Sequence, residues 1–145
     1  MKNFRKIIMV AFLILGATFN AQAQSAQVMQ LQETSERLYG EFRELAANKN
    51  YAEAIVPIKE LINYLDTTTV YNDKSINIPK QALDAQKAMY QYDLACCYAI
   101  MGKKKMAMET LTASVGNGYD NYGNMCWDND LASLKKDKKF QALLG

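Results

Sequence analysis

Residues 89–115 read MYQYDLACCYAIMGKKKMAMETLTASV. The stretch divides at Gly102 into two segments of helical character. In the first, Leu94, Ala95 and Tyr98 fall at i, i+1 and i+4, with Tyr90, Tyr92 and Met101 close by. That spacing lays an apolar stripe along a helix of about 3.6 residues per turn. Ala95 is small where a partner helix must come close. Gly102 stands where a helix should stop, because Gly enters the left-handed C-cap conformation at little cost. Lys103–Lys105 follow on the solvent side. Met106, Ala107, Leu111, Ser114 and Val115 then form a second stripe, again with a small residue, Ala107, at the expected crossing point. Gly116 and Gly118 end it. Two amphipathic helices joined by so short a turn must pack antiparallel.

The spacing Leu94-Ala95-x-x-Tyr98, then Gly102, then Ala107-x-x-x-Leu111 resembles the tetratricopeptide repeat. The match covers roughly a quarter of the chain beyond residue 23. It departs from the pattern in three places. Gln91 stands where an aromatic is expected, between Tyr90 and Tyr92. Ser114 replaces an Ala, and Tyr119 stands where a Pro is usual. An unrelated helical hairpin is the competing reading.

The 145 residues suffice for one domain, and with half of them apolar they can build a core. The chain has no His. That excludes His bases, His metal ligands and the Ser-His-Asp and Cys-His mechanisms together. A formal charge of +2 gives no reason to expect nucleic acid as a partner. Residues 1–23 read as a secretory signal peptide: Lys2, Arg5 and Lys6, then the apolar run Ile7–Phe19, then Ala21-Gln22-Ala23 as a small-x-small cleavage site. The run is too short to span a bilayer comfortably. No Cys follows it, so a lipid anchor is not expected. Without those residues 14 basic groups face 15 acidic ones, a net charge of −1, so the apparent basicity comes from the leader. The expected product is an exported domain over residues 24–145, periplasmic or secreted, with no membrane span.

Taken in order, residues 24–65 should form a first helix pair. Ser25–Asn48 is one helix, with Leu31, Leu38, Phe42 and Leu45 on one face and Glu33, Glu36, Arg37, Glu41, Arg43 and Glu44 on the other. Gly40 inside it costs about 1 kcal/mol against Ala. Asn48-Lys49-Asn50 is a turn. Tyr51–Leu65 is the second helix, with Ile55, Ile58, Leu61, Ile62 and Leu65 facing inward. Pro57 should bend it or leave one carbonyl unpaired. Ala54 and Ile58 parallel Ala107 and Leu111 at an interval of 53 residues, against about 34 in a regular repeat. Phe42 stands where the small residue of the first helix is expected. Residues 66–78, DTTTVYNDKSINI, lack helical period and read as a loop. Pro79 suits the first turn of the next helix, which opens a second pair over residues 79–117.

Residues 118–145 read as a C-terminal cap. The segment carries a turn-rich stretch, one helical turn near Tyr122–Trp127, and one or two short helices marked by Leu131, Leu134, Phe140, Leu143 and Leu144. Asp130 and Asp137 are expected N-caps. Gly118-Tyr119, Asp128-Asn129-Asp130-Leu131-Ala132-Ser133-Leu134 and Asp137-Lys138-Lys139-Phe140-Gln141-Ala142-Leu143-Leu144 resemble the ending of many bacterial tetratricopeptide proteins, with Asn129 and Lys138 in place of the usual Pro. A repeat array needs such a cap over its last apolar face. Lys135, Lys136, Lys138 and Lys139 would form its polar outside. The fold class expected is therefore all-α: about two antiparallel helical hairpins and a short capping helix.

Neither a metal nor a cofactor is expected. Cys96 and Cys97 point about 100° apart on a helix, and three thiols without His make a poor zinc set. They read as small buried apolar residues, or as Cys96 or Cys97 bridged to Cys126 in an oxidising compartment. Asp120, Asp128 and Asp130 lack the spacing and the closing Glu of a calcium loop and read as helix caps and loop solvation. The Lys103–Lys105 and Lys135–Lys139 runs read as solvated faces. The resemblance implies that the first helix of each pair lines an inner groove. Residue by residue, that places Tyr39 and Arg43, then Met89, Tyr92, Cys96 and Ala99, on a partner-binding surface. Packing between neighbouring helix pairs is the alternative reading of Tyr39 and Tyr92. Members that clamp a peptide's C-terminal carboxylates carry an Asn and several cations there. Here Asp93 takes the Asn place and Arg43 is the only cation, so carboxylate clamping is not expected. The expected function is a non-enzymatic protein–protein interaction module or scaffold of the cell envelope, with a protein or peptide partner. The alternatives are a small exported thiol-dependent enzyme or redox accessory using Cys96, Cys97 or Cys126, and a carrier with a small Tyr- and Met-lined pocket.

Overall fold

The computed structural model describes residues 26–72 and 78–145. The proposed leader lies outside them. Within them the chain is all-α, with no strand. The helices are α1 (Ala26–Ala47), α2 (Tyr51–Thr67), α3 (Lys80–Ile100), α4 (Lys104–Gly116), α5 (Tyr122–Trp127) and α6 (Lys138–Leu144). A 3-10 turn occupies Val70–Asn72, and a longer 3-10 segment, the capping turn, occupies Asn129–Leu134. No helix of the described residues is long and apolar enough to cross a membrane.

The two hairpin turns are built alike. Lys49 is left-handed with φ 60°, and Gly102 with φ 73°. The residue after each, Asn50 and Lys103, takes nearly the same conformation (φ −84°, ψ 61° and φ −81°, ψ 60°). The carbonyls left over at each helix end are closed the same way. Asn50 N–H donates to the Leu45 carbonyl at 2.8 Å and Lys103 N–H to the Tyr98 carbonyl at 2.8 Å. Four residues on, Ala54 and Ala107 donate back to Asn50 and Lys103. Ala54, Ile58, Ala107 and Leu111 are all wholly buried. The structure thus repeats at the 53-residue interval seen between Ala54 and Ala107 in the sequence.

Helix α3 lies at the centre, packed against α2, α4 and the Asn129–Leu134 turn. Every residue from Leu94 to Ala99 is buried, so this end of the helix is enclosed on all sides. Ala95 and Ala107 let the helices approach. Ser114 Oγ, wholly buried, donates to the Ala88 carbonyl of α3 at 2.6 Å. Leu131, Leu134 and Phe140 seat the C-terminal segment on the second hairpin.

Two sequence expectations need correction. Residues 66–78 are not all loop. Helix α2 continues to Thr67, whose Oγ1 donates to the Asn63 carbonyl. A 3-10 turn follows with its first residue, Val70, buried, and Ile78, where the described chain resumes, is buried too. These two side chains have no helical partner in sequence, so periodicity does not reveal them. The N-cap of the Asn129–Leu134 turn is Asp128, not Asp130. The Asp128 carboxylate accepts from Asp130 N–H at 2.9 Å, so the turn starts earlier than the apolar pattern suggests. Asp137 caps α6 as expected, accepting from Lys139 N–H. Helix α2 runs through Pro57, which is itself buried.

Two glycines give opposite stability predictions. A Cβ at Gly40 would meet nothing within 4 Å, inside a regular helix. Gly40→Ala should therefore stabilise by about 1 kcal/mol. Gly102 has equal space but a left-handed backbone. Gly102→Ala should cost about 1–2 kcal/mol. Urea unfolding of both variants checks the pair; equal signs would contradict the assigned backbone.

Candidate functional site

The predicted groove residues sit along one flank of α3, where α1 and the C-terminal segment meet it. Tyr39, from α1, donates its hydroxyl to Asp93 Oδ2 at 2.9 Å, across 54 residues of sequence. Its ring packs on Tyr90 at 4.9 Å and Phe42 at 5.6 Å between centroids. Tyr92 donates to Asp128 Oδ2 at 2.7 Å and stacks on Tyr119 at 4.4 Å with the planes 6° apart. Asn124 donates through Nδ2 to both the Tyr92 and the Tyr119 hydroxyls. Cys96 Sγ lies 3.9 Å from the same Asp128 oxygen. Ser133 Oγ donates to the Ala99 carbonyl, tying the capping turn to α3.

The predicted set is therefore divided. Arg43 is exposed, and Tyr39 and Met89 are half-buried. Tyr92, Cys96 and Ala99 lie in the interior, beneath the C-terminal segment. The aromatic rings tie α3 to its neighbours. The repeat-signature residues Leu94, Ala95, Tyr98, Ala107 and Leu111 are all buried, and Gly102 turns the hairpin.

Burial dominates the electrostatics of this seam. It pushes the Asp93 carboxyl up to about 7, helped by the charges of Asp128 and Asp130 and opposed by the Tyr39 hydrogen bond. Burial, then Asp128, raises Asp130. Burial also raises the Tyr39 and Tyr92 phenols far above the ordinary tyrosine range and brings Tyr90 and Tyr119 to about 12. The phenols thus remain protonated donors. Among the described residues the ion pairs are Arg37–Glu60, Lys80–Asp84, Lys87–Asp66, Lys87–Asp84 and Lys105–Glu109, and none involves Asp93, Asp128 or Asp130.

All three cysteines are free thiols: Cys96 and Cys97 buried, Cys126 exposed. Burial holds Cys96 well above the usual thiol range and pushes Cys97 to about 12, with nearby carboxylates adding to both. An activated nucleophile needs the opposite shift. Cys96, Asp128 and Asp130 bring potential ligand atoms within 4.8 Å of one another. Both Asp128 oxygens already accept, one from Tyr92 and one from Asp130 N–H, so this carboxylate serves as a cap and an anchor.

Sequence reasoning missed Asp128 as the acceptor for Tyr92, and Asn124 as the donor joining Tyr92 to Tyr119. The available signal was chemical: a buried tyrosine hydroxyl needs a partner. The Asp- and Asn-rich segment 120–130 was the nearest supply. Exposed apolar side chains lie elsewhere. Trp127 is 84% exposed, and Val56, Met29, Met106, Tyr122 and Ile100 are exposed to lesser degrees.

What the fold and seam define is an all-α hairpin protein with a tyrosine–carboxylate junction at its centre. No family model matches the chain. No solved structure matches it either. The chain is similar to a chloroplastic protein of Arabidopsis thaliana, with 29% identity over 59 residues. The match covers 41% of this chain and 18% of that protein.

Proposed function

We propose that the chain is a non-enzymatic protein-binding module of tetratricopeptide-like build, exported by its N-terminal leader and acting as a scaffold in the cell envelope. The observation that carries this reading is the repeated hairpin, with two turns of the same backbone geometry and the same buried Ala and large apolar residue after each. Stacked hairpins present extended surfaces used for binding. The C-terminal segment covering α3 supports the role of cap. The surface open to a partner is then the rim around Arg43 and Met89 and the exposed indole of Trp127. Exposed Trp and Arg are the side chains most often dominant in protein interfaces.

The test is crosslinking and capture of the full chain, tagged at its C-terminus, from its own cells. An Arg43→Glu/Trp127→Ala variant is run in parallel, with its folding checked by circular dichroism. The expected result is a defined envelope partner captured by the natural chain and reduced at least tenfold by the variant. A chain recovered only free, in a fraction other than the envelope, would overturn the proposal.

A further inference from the structure

The lysine runs of residues 103–105 and 135–139 are separate in sequence and share one end of the fold. Lys103 follows the Gly102 turn, where its N–H donates to the Tyr98 carbonyl, and Lys104 and Lys105 open α4. The capping turn is tied to the same end of α3, because Ser133 Oγ donates to the Ala99 carbonyl at 3.1 Å. Lys135 and Lys136 directly follow that turn. Gln141 Nε2 reaches back to the Lys135 carbonyl at 3.3 Å, so the first turn of α6, with Lys138 and Lys139, stays beside it. This end therefore carries seven lysines, half of the 14 basic groups beyond residue 23. Lys135 is half-buried and the others are exposed. Among the described residues the ion pair that engages any of them is Lys105–Glu109, at 3.9 Å between side chains open to water. Asp137, the acid inside the second run, is occupied as the cap of α6.

Folding does not explain this placement. Lys104 and Lys105 stand in the first turn of α4, Lys138 and Lys139 in that of α6, and neither turn holds an acid. The helix dipole disfavours cations there and favours carboxylates. Two apolar side chains flank the first run: Ile100, the last residue of α3, is 39% exposed and Met106 is 41% exposed. Clustered cations beside exposed apolar side chains suit a bilayer interface, with the charges at the headgroups and the apolar groups at the acyl boundary. Residue type points the same way. No arginine follows Arg43. Lysine is a hydrated point charge suited to a diffuse anionic surface, whereas protein interfaces favour the planar arginine fork and are depleted in lysine.

We propose that the end of the fold formed by the α3–α4 turn and the start of α6 docks on an anionic phospholipid surface. The contact is peripheral, since no helix of the described residues is long and apolar enough to cross a membrane. Each lysine brought to such a surface strengthens binding about fivefold. The attraction is screened beyond about 10 Å at 0.1 M salt, so it weakens as salt rises. The docking end uses none of Arg43, Met89 and Trp127, so it stands or falls apart from partner capture.

The experiment is co-sedimentation of the chain, prepared from its own cells, with vesicles of equal parts phosphatidylglycerol and phosphatidylcholine, and with vesicles of phosphatidylcholine alone. The natural chain should bind the anionic vesicles at least about tenfold more tightly at low salt and lose that preference at high salt. Lys104→Glu/Lys138→Glu reverses one charge in each run and puts a carboxylate where each helix favours one. It should weaken binding at least about tenfold while Tm stays the same or rises. Lys49→Glu/Lys59→Glu makes the same change of net charge at exposed positions of the first hairpin and should stay within about twofold. Met106→Ser should weaken binding about threefold. Equal binding to both kinds of vesicle, an equal loss in the two double variants, or unchanged binding in Lys104→Glu/Lys138→Glu would each overturn the proposal. So would capture of soluble polyglutamate without capture of vesicles, which would assign the lysines to an acidic protein.

Discussion

Phe140→Ala is expected to lower the free energy of unfolding by about 3–5 kcal/mol, the range for removing a large aromatic side chain from a packed core. Phe140 is 1% exposed and is the buried residue of α6. That helix has only 7 residues, too few to be stable unless docked. It packs against α4 and α5. Losing the ring therefore removes the anchor of the C-terminal segment as well as its own contacts. Domains of this size have stabilities of about 5–15 kcal/mol, so the variant would approach the unfolding threshold at ordinary temperature. Urea unfolding by circular dichroism measures it: the midpoint should fall while the slope stays unchanged. A loss below about 1 kcal/mol, the size of a surface effect, would show that α6 is not seated on the hairpin as described.

Tyr92 gives the second large effect, and it separates two contributions. Tyr92→Phe keeps the ring on Tyr119 but removes the hydroxyl between Asp128 and Asn124. The part-buried Asp128 carboxylate then keeps its cap bond to Asp130 N–H and the weak Cys96 thiol contact but loses its hydroxyl donor, which should cost about 1–3 kcal/mol. Tyr92→Ala also removes the stacked ring and opens a cavity under the C-terminal segment. It should cost about 3–5 kcal/mol. Thermal unfolding of both variants gives the difference directly. If Tyr92 served mainly to line an open groove, both losses would be under about 0.5 kcal/mol, as for exposed positions. A large loss in Tyr92→Ala also bears on partner capture, since a variant at this position changes folding before it changes binding. For that reason Arg43 and Trp127, both exposed, are the better probes of the proposed interaction surface.

Much of the first-order architecture was legible from local pattern. Helix α5 occupies the Tyr122–Trp127 turn expected of it, and α3 begins one residue after Pro79. These features depend on residues within four or five positions of one another. A carbonyl near a helix end finds its donor five residues away, as that of Tyr98 does in Lys103 N–H. An apolar stripe closes on itself every third or fourth residue. The C-terminal cap was legible too, because Leu131, Leu134 and Phe140 have few other places to go.

The flank of α3 was not legible in the same way. A helix face that carries Tyr, Asp and Cys can line a groove or lie under another segment, and its own period is identical in the two cases. What decides is whether a distant part of the chain covers it. Here Asp128 reaches Tyr92 across 36 residues, and Tyr39 reaches Asp93 across 54. The capping turn starts at Asp128 because that carboxylate satisfies both a backbone N–H and a buried phenol, a combination visible only once the segment has docked. Val70 and Ile78 were hidden for the same reason: single apolar residues beside a turn acquire meaning from the core they enter. The hairpins, their turns and their small crossing residues were thus determined by sequence alone, through short-range hydrogen bonding and periodicity. The enclosure of Tyr92 and Cys96, and the approach of Asp128 and Asp130 to Cys96, were decided by tertiary structure. Both depend on which surfaces meet after the helices have formed.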